Sequence, residues 1–507
     1  MRVLFATAAP LRQDGEGITS DLASARYRVL IPARQLARLG HQVQIAALGP
    51  GGWPAAVMQA ACDALVISKS FDPANEALAR AMKARGVRVV VDFCDDHFDH
   101  PQLGPHFRNL AALADTVVAA TPAMTEVVRA HTGRDCIVIT DPVEGPRGMP
   151  RFDPRLPALR VAWFGHPTNL NGLLGRAAEL HALTRRFPVR LAVVTTPSAE
   201  VAARVASLAE GAGGRVTAEL VPWSLEATWR ALAECDLAWI PVEESARKSV
   251  KSPNRMLEAL WVGKPVVAGA MPAYQPFADL TPVGMSLEAG AIALLEDAAG
   301  VERRVAQAQR RIARDHSAFA CGIAWARALG DADARPLRLN LGCGDKILPG
   351  YVNVDVVEAR AGMRPDVICD LHDLAPFDAD SADEILSVHV VEHFWRWEVR
   401  DIVREWVRVL KPGGRMIVEC PNIVSACRTF LENPEQFSRE DQAGQRTMWV
   451  FYGDPKWKDP LMIHRWGYTP ESLKALLAEA GLSQVRQEPA QFKLREPRDM
   501  RVVGVKP

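Results

Sequence analysis

Leu339-Asn340-Leu341-Gly342-Cys343-Gly344-Asp345, followed shortly by Val354-Asp355, is the stretch on which the reading of this chain turns. An apolar strand, Leu337 to Leu341, ends in Gly342-Cys343-Gly344, where missing side chains let a ligand lie against the backbone. A nucleotide-type ligand is expected at that strand end. Dinucleotide folds also use G-x-G, but their third glycine would fall at Ile347, whose branched side chain obstructs close helix-to-strand packing. Pro349 and Gly350 cut the connection short, so Asp355 arrives well before the roughly twenty-residue offset of a dinucleotide site.

The glycine loop, the brief turn, the Asn353-Val354-Asp355 strand and the later Leu410-Lys411-Pro412-Gly413-Gly414 resemble a compact Class I, type 11-like, S-adenosylmethionine methyltransferase. The resemblance covers about residues 336–507 and implies S-adenosylmethionine as cofactor, in a site of Asn340, Gly342, Cys343, Gly344, Asp355, Asp370, Leu371 and His389. By it Asp355 would hold the ribose hydroxyls, Asp370 and Leu371 would border the adenine, and His389 would lie beside the reactive end. A carboxylate at a strand end also serves as a cap or turn former.

His389-Val390-Val391-Glu392-His393 spells an inverted zinc-protease signature. That signature belongs inside a helix; here a strand-like Ile385 to Val388 leads in and a helix over 398–409 follows, so no metal is assigned. The methyltransferase likeness puts Glu392 and His393 at the mouth of the substrate pocket instead. Methyl transfer to a sugar hydroxyl gains from a base, and His393 and His464 are the candidates, each also readable as an ordinary hydrogen-bonded histidine. An excursion over 421–469 carries Trp449, Tyr452, Trp457 and Trp466, aromatic faces that suit either a sugar ring or a lid with its own small core.

Ahead of this domain, short β-branched runs alternate with Ala/Leu-rich helical stretches from residue 1 to about 150, and the pattern restarts at Leu159. The fold class is therefore α/β: two Rossmann-like lobes, 1–150 and 151–330, then a third Rossmann-like domain at 336–507. A Pro- and Gly-rich segment, 145–157, is the expected hinge, and polar residues 330–336 the linker. Val301, Val305, Ala308 and Ile312 share one face of a helix whose other face is arginine-rich, which reads as a packing helix closing the second lobe or crossing back to the first, with a membrane-surface helix as the alternative.

Lys251-Ser252-Pro253-Asn254-Arg255-Met256-Leu257-Glu258, running on to Gly263-Lys264-Pro265, predicts a helix over 253–262 with Ser252 as cap. Lys248, Lys251 and Arg255 surround its N-terminus with positive charge suited to a diphosphate. Asn254, Arg255 and Glu258 are expected to face a cleft, and Gly165 ends the first strand of the same lobe. The string resembles the donor site of GT-B, family 4-like, retaining glycosyltransferases, which implies a nucleotide-sugar donor held by Gly165, Lys248, Lys251, Ser252, Asn254, Arg255 and Glu258, with Glu258 on the ribose. Val250 stands where the family has a first glutamate. Across the cleft, Gly15, Gly17, Ser24, Arg26 and Arg28 follow the first strand; Asp92, Asp95, Asp96 and His97 follow a later one. Asp96 and His97 are the candidates for handling an acceptor hydroxyl, loop capping being the equal alternative.

Lys plus Arg and Asp plus Glu each number 60, so no overall field attracts nucleic acid. Nine cysteines without a C-x-x-C pair read as reduced thiols in the cytoplasm. Arg12 and Asp14 end the apolar N-terminus too early for a signal peptide, and no apolar run reaches about eighteen residues. Attachment at the inner face of a membrane stays open, as does the oligomeric state. The expectation is a bifunctional enzyme adding a sugar and a methyl group to a surface glycan or glycoconjugate. The alternative is a methyltransferase whose front module only docks carbohydrate.

Overall fold

The computed structural model describes residues 1–507 except 16, 155–156, 244, 331–335, 439–441 and 493–497. It forms two compact units, Met1–Ala332 and Asp333–Pro507. Most of the expected linker at 330–336 lies outside the described residues.

The first unit holds two parallel sheets. Strands Ala64–Ser68 and Arg88–Phe93 are buried almost throughout, as strands covered by helices on both faces must be. The six strands of the first sheet lie in the order Gln42–Ala47, Arg2–Thr7, Ala64–Ser68, Arg88–Phe93, Thr116–Ala119, Ile137–Val138. The second sheet runs Val216–Pro222, Val189–Thr195, Leu159–Phe164, Leu237–Ile240, Val266–Ala268. Side chains of Asp72, Thr121, Ser198 and Ser224 accept the free N–H groups where the connecting helices start.

Helix Ala298–His316 buries Val301, Val305, Ala308 and Ile312, the packing face that its spacing predicts. The next helix, Ala318–Ala328, returns to the first lobe and lies on helix Ile31–Arg38. Trp325 is fully buried there, edge-on to Phe5 at 5.9 Å. Gly322 permits the approach, since a Cβ at that position would stand 2.6 Å from Gln35 Cβ. Residues 318–328 thus complete the first lobe, although their place in the chain assigns them to the second.

The expected hinge does not hang free. Gly145 O accepts from Trp261 Nε1 (3.2 Å), Gly148 N donates to Trp261 O (2.9 Å) and Arg151 N to Gly263 O (3.0 Å). Gly263 holds φ +90°, and a Cβ on it would meet Met149 O at 2.2 Å, so the segment lies against the end of the 254–261 helix.

In the second unit seven strands, counted along the chain, lie in the order 3-2-1-4-5-7-6, the seventh antiparallel to its neighbours. Strand Arg338–Leu341 is central, between Val352–Asp355 and Ala382–Val388. Strand order reverses beside it, which opens a crevice at its C-terminal end. Among the described residues no helix is long and apolar enough to cross a membrane.

Candidate functional site

The glycine loop sits in that crevice. Gly342 and Gly344 take left-handed φ of +68° and +56°, and a Cβ on Gly342 would lie 2.5 Å from Val390 Cγ2. Gly342 N and Cys343 N donate to Val354 O at 2.8 and 3.1 Å, and Gly344 N donates to Asp355 Oδ2 at 2.7 Å. Asp355, 7% exposed, also accepts from Val357 N at 3.2 Å. Its turn-forming role is therefore realised, with carboxylate lone pairs still available to a diol. Asn340 is buried and donates to Lys346 O and Asn353 Oδ1, bracing the loop from below. Burial raises the Cys343 thiol to about 12, so it is neutral. Asp370 turns to His372 Nδ1 (2.7 Å), and Leu371 O accepts from Trp406 Nε1 (2.9 Å).

Beyond the loop, His389 holds φ +56°, and its Nδ1 comes to 3.4 Å from Glu392 Oε1 and its Nε2 to 3.5 Å from Asp499 Oδ2. Residues 391–393 form a single 3-10 turn, so the letters of the zinc-protease signature do not share a helix face. His393 and His464 meet edge to face with ring centroids 4.9 Å apart, which brings the two expected bases together. Arg465 N and Trp466 N donate to Glu392 O (2.7 and 3.2 Å), tying the excursion to this turn. Burial, then His464, depresses the His393 pKa, so its imidazole is neutral near pH 7. A cavity of about 500 Å³ adjoins, lined by Met448, Trp449, Tyr452, Lys458, Met462 and Ile463 among others.

In the first unit the 252–258 region departs from expectation in three ways. The helix is Asn254–Trp261 and has no side-chain N-cap; Ser252 donates instead to Asp141 Oδ2 (2.6 Å), as does Asn254 Nδ2 (2.9 Å). Lys251 pairs with Asp95, which Lys69 also binds. Although burial pushes the Asp95 carboxyl up, the two lysines hold it below the usual range. Glu258 does not face an open cleft: it is 4% exposed and accepts a hydrogen bond from Tyr27 Oη. Burial raises its pKa to about 8. Val250, in the first motif glutamate's place, is 2% exposed within the apolar core of the first lobe, and its carbonyl accepts from Thr121 Oγ1 at 2.8 Å.

Three donor-side groups remain together. An added Cβ on Gly165 would lie 3.5 Å from Arg255 Nη1, which is itself buried without a hydrogen bond. Lys248 Nζ donates to Asn169 Oδ1 at 2.5 Å; burial, then Arg255 and Lys251, depress its pKa.

Of the acceptor-side candidates, Arg28 and Asp92 are fully buried in an ion pair that Asp141 and Ser68 complete, and Arg26 pairs with Glu144 at 2.9 Å. These are structural roles, because burying such charges demands partners. Asp96 caps Phe98 N (3.2 Å), and His97 lies edge-on to Phe107, its pKa depressed by burial. Gly17 closes the hairpin of Arg12–Asp14 with Gly17–Thr19. Tyr27, Glu144 and Asp141 were not legible as partners. The one sequence clue is the close spacing of Arg26, Tyr27 and Arg28, which a π-helical turn over Arg26–Leu30 buries together. All nine cysteines are free.

Residues 350–418 match the family model described as a methyltransferase domain. Among solved structures, HepE of Anabaena in complex with UDP aligns with 65% of this chain and 100% of its own, at 15% identity and a TM-score of 0.46. The E. coli structure titled trehalose-6-phosphate bound with UDP-2-fluoro glucose aligns over 65% of this chain and 99% of its own, at 11% identity and a TM-score of 0.45. A SAM-dependent methyltransferase from Archaeoglobus fulgidus aligns over 36% of this chain and 92% of its own, at 17% identity and a TM-score of 0.25. No curated protein matches significantly. The chain carries a methyltransferase domain, matched over residues 350–418 and preceded in sequence by a unit of two parallel α/β sheets.

Proposed function

We propose that this protein transfers a methyl group from S-adenosylmethionine to a sugar hydroxyl of a surface glycan or glycoconjugate, and a sugar from a nucleotide donor to the same class of acceptor, in the cytoplasm. The observation that carries the reading is the glycine crevice with Asp355 at the adjoining strand end, in the unit whose residues 350–418 match a methyltransferase domain. Gly342 and Gly344 would admit the cofactor against the backbone, Asp355 would hold its ribose, and Asp370 with Leu371 would border the adenine. Methyl transfer is an in-line displacement at carbon, for which positioning is the main requirement. The acceptor hydroxyl would enter beside His393 and His464, with the aromatic cavity under its sugar ring.

In the front module, Lys248 and Arg255 would take the donor diphosphate against the backbone of Gly165, since Arg255 Nη1 is buried without a hydrogen bond and Lys248 Nζ bonds a neutral amide. Engagement of Lys251, Ser252 and Asn254 with Asp95 and Asp141 leaves those three as supports of the site. A second reading is favoured by Val250: with an apolar side chain in place of the first glutamate, the module would bind nucleotide sugar or glycan without turning it over. Incubating the whole protein with S-adenosylmethionine, a nucleotide-sugar panel and lipid-linked or polymeric glycan fractions, followed by mass analysis, separates the readings. A product gaining methyl and hexosyl mass supports the first, methyl alone the second, and neither sinks both.

A further inference from the structure

The turn at 391–393 and the end of the aromatic excursion bring three metal-ligating side chains to one point. One ligating atom each from Glu392, His393 and His464 lies within 4.8 Å of the others. His464 Nε2 stands 3.9 Å from Glu392 Oε1.

Protonation states follow from the neighbours. His464 Nδ1 is 2.9 Å from Val450 O and His393 Nδ1 is 3.1 Å from Ile463 O. A carbonyl oxygen only accepts, so each Nδ1 carries the proton and each Nε2 presents a lone pair. This is how metal-bound imidazoles are held, the distal N–H fixed by a backbone carbonyl. Glu392 is 2% exposed, and both its carboxylate oxygens lack a hydrogen bond. A buried carboxylate left so is costly unless a cation neutralises it, and His389 Nδ1 stands 3.4 Å from its Oε1.

We infer that Glu392, His393 and His464 form a site for a first-row divalent transition ion, Zn²⁺ above all. Two neutral imidazoles with one carboxylate suit zinc and its neighbours, whereas Mg²⁺ and Ca²⁺ prefer oxygen alone. Ligand bonds of about 2.0–2.2 Å place tetrahedral ligands roughly 3.4 Å apart, so the three groups need to close by about 1 Å. Three protein ligands leave a position open, the pattern of a catalytic rather than a structural ion. The neighbouring cavity reaches Ile463, whose carbonyl orients His393. A sugar hydroxyl on the ion would lose its proton to water more easily, leaving the oxygen to attack the methyl carbon, so hydroxyl activation would pass from an imidazole to the metal. His389 is outside the set, so of the signature's two ligand histidines only His393 takes part, and Glu392, its base, serves as a ligand instead.

The test uses the full chain, stripped with a chelator and titrated with Co²⁺ as a spectroscopic probe. Visible d–d bands of a four-coordinate ion should saturate at one equivalent, and Zn²⁺ should displace them. Glu392→Gln and His464→Ala should each weaken Co²⁺ binding by more than about 10-fold, the least that loss of supporting groups around a metal causes. Circular dichroism and S-adenosylmethionine titration on the same samples report folding and the cofactor site separately; if Glu392→Gln does not fold, His464→Ala and His393→Ala decide. A wild-type protein without saturable bands, or folded variants that bind as wild type does, would overturn the inference. Metal binding does not rest on the methyl-transfer reading, so a protein that binds Co²⁺ but no S-adenosylmethionine refutes only the latter.

Discussion

Replacing Glu258 by Gln tests the buried contact between the lobes of the first unit. Tyr27 Oη donates to Glu258, and Glu144, Arg26 and Arg255 are the charged groups that act on it. Burial raises the carboxyl from 4.5 to about 8, so the folded protein binds this proton more tightly than the unfolded chain. The stabilising contribution is therefore complete below pH 4.5 and is lost as pH climbs through about 8. At about 1.4 kcal/mol per pH unit the full loss is about 5 kcal/mol, of which about 3–4 falls between pH 5 and 8. Gln keeps an acceptor for Tyr27 and has no proton to lose. In denaturant titrations of the full chain at several pH values, the wild type should lose about that much stability relative to Glu258→Gln over this window. Taking the difference cancels the other titrating groups. A wild-type-minus-variant difference that stays flat from pH 5 to 8 would refute the assignment of a proton to this contact.

Asp355→Ala removes an acceptor of charge-assisted bonds worth about 1.5–3 kcal/mol, so calorimetric titration should show S-adenosylmethionine affinity falling about 10- to 100-fold. Intact affinity would remove Asp355 from the cofactor site. Arg255→Ala should weaken nucleoside-diphosphate binding by about 10-fold or more while leaving the methyl donor's affinity unchanged, both read by titration of one sample. Val250→Glu should cost about 3–5 kcal/mol in chemical denaturation, because the new carboxylate enters an apolar core unpaired. A stable, more active variant would show that the core there is open to charge.

The architecture was legible because its signals are local. Buried β-branched runs such as Val87 to Asp92 mark parallel strands, and the spacing of Val301, Val305, Ala308 and Ile312 marks a packing face. The glycine loop with Asp355 was legible for the same reason, since the residues that shape it lie within one strand-turn-strand unit. What escaped was pairing across the chain. Nothing near Glu258 announces Tyr27, which lies 231 residues away, and nothing near Ser252 announces Asp141, 111 residues away. The cap assigned to Ser252 failed because the helix begins at Asn254 with Pro253 at the cap position, and the Ser252 hydroxyl donates to Asp141 instead. His464 and Glu392 are likewise joined by the fold alone, across an excursion whose composition does not tell a lid from a ligand arm.

Val250 has a mechanical consequence. Its side chain is carried by the second lobe yet is embedded among apolar groups of the first, and Thr121 grips its carbonyl. Any breathing of the two lobes that parted them at this point would drag a valine into water, at about 1.5 kcal/mol or more for the side chain alone. Exchange of a bulky ligand should then proceed by rotation about this residue as a fulcrum, with the far rim swinging while the seam at Val250 stays dry.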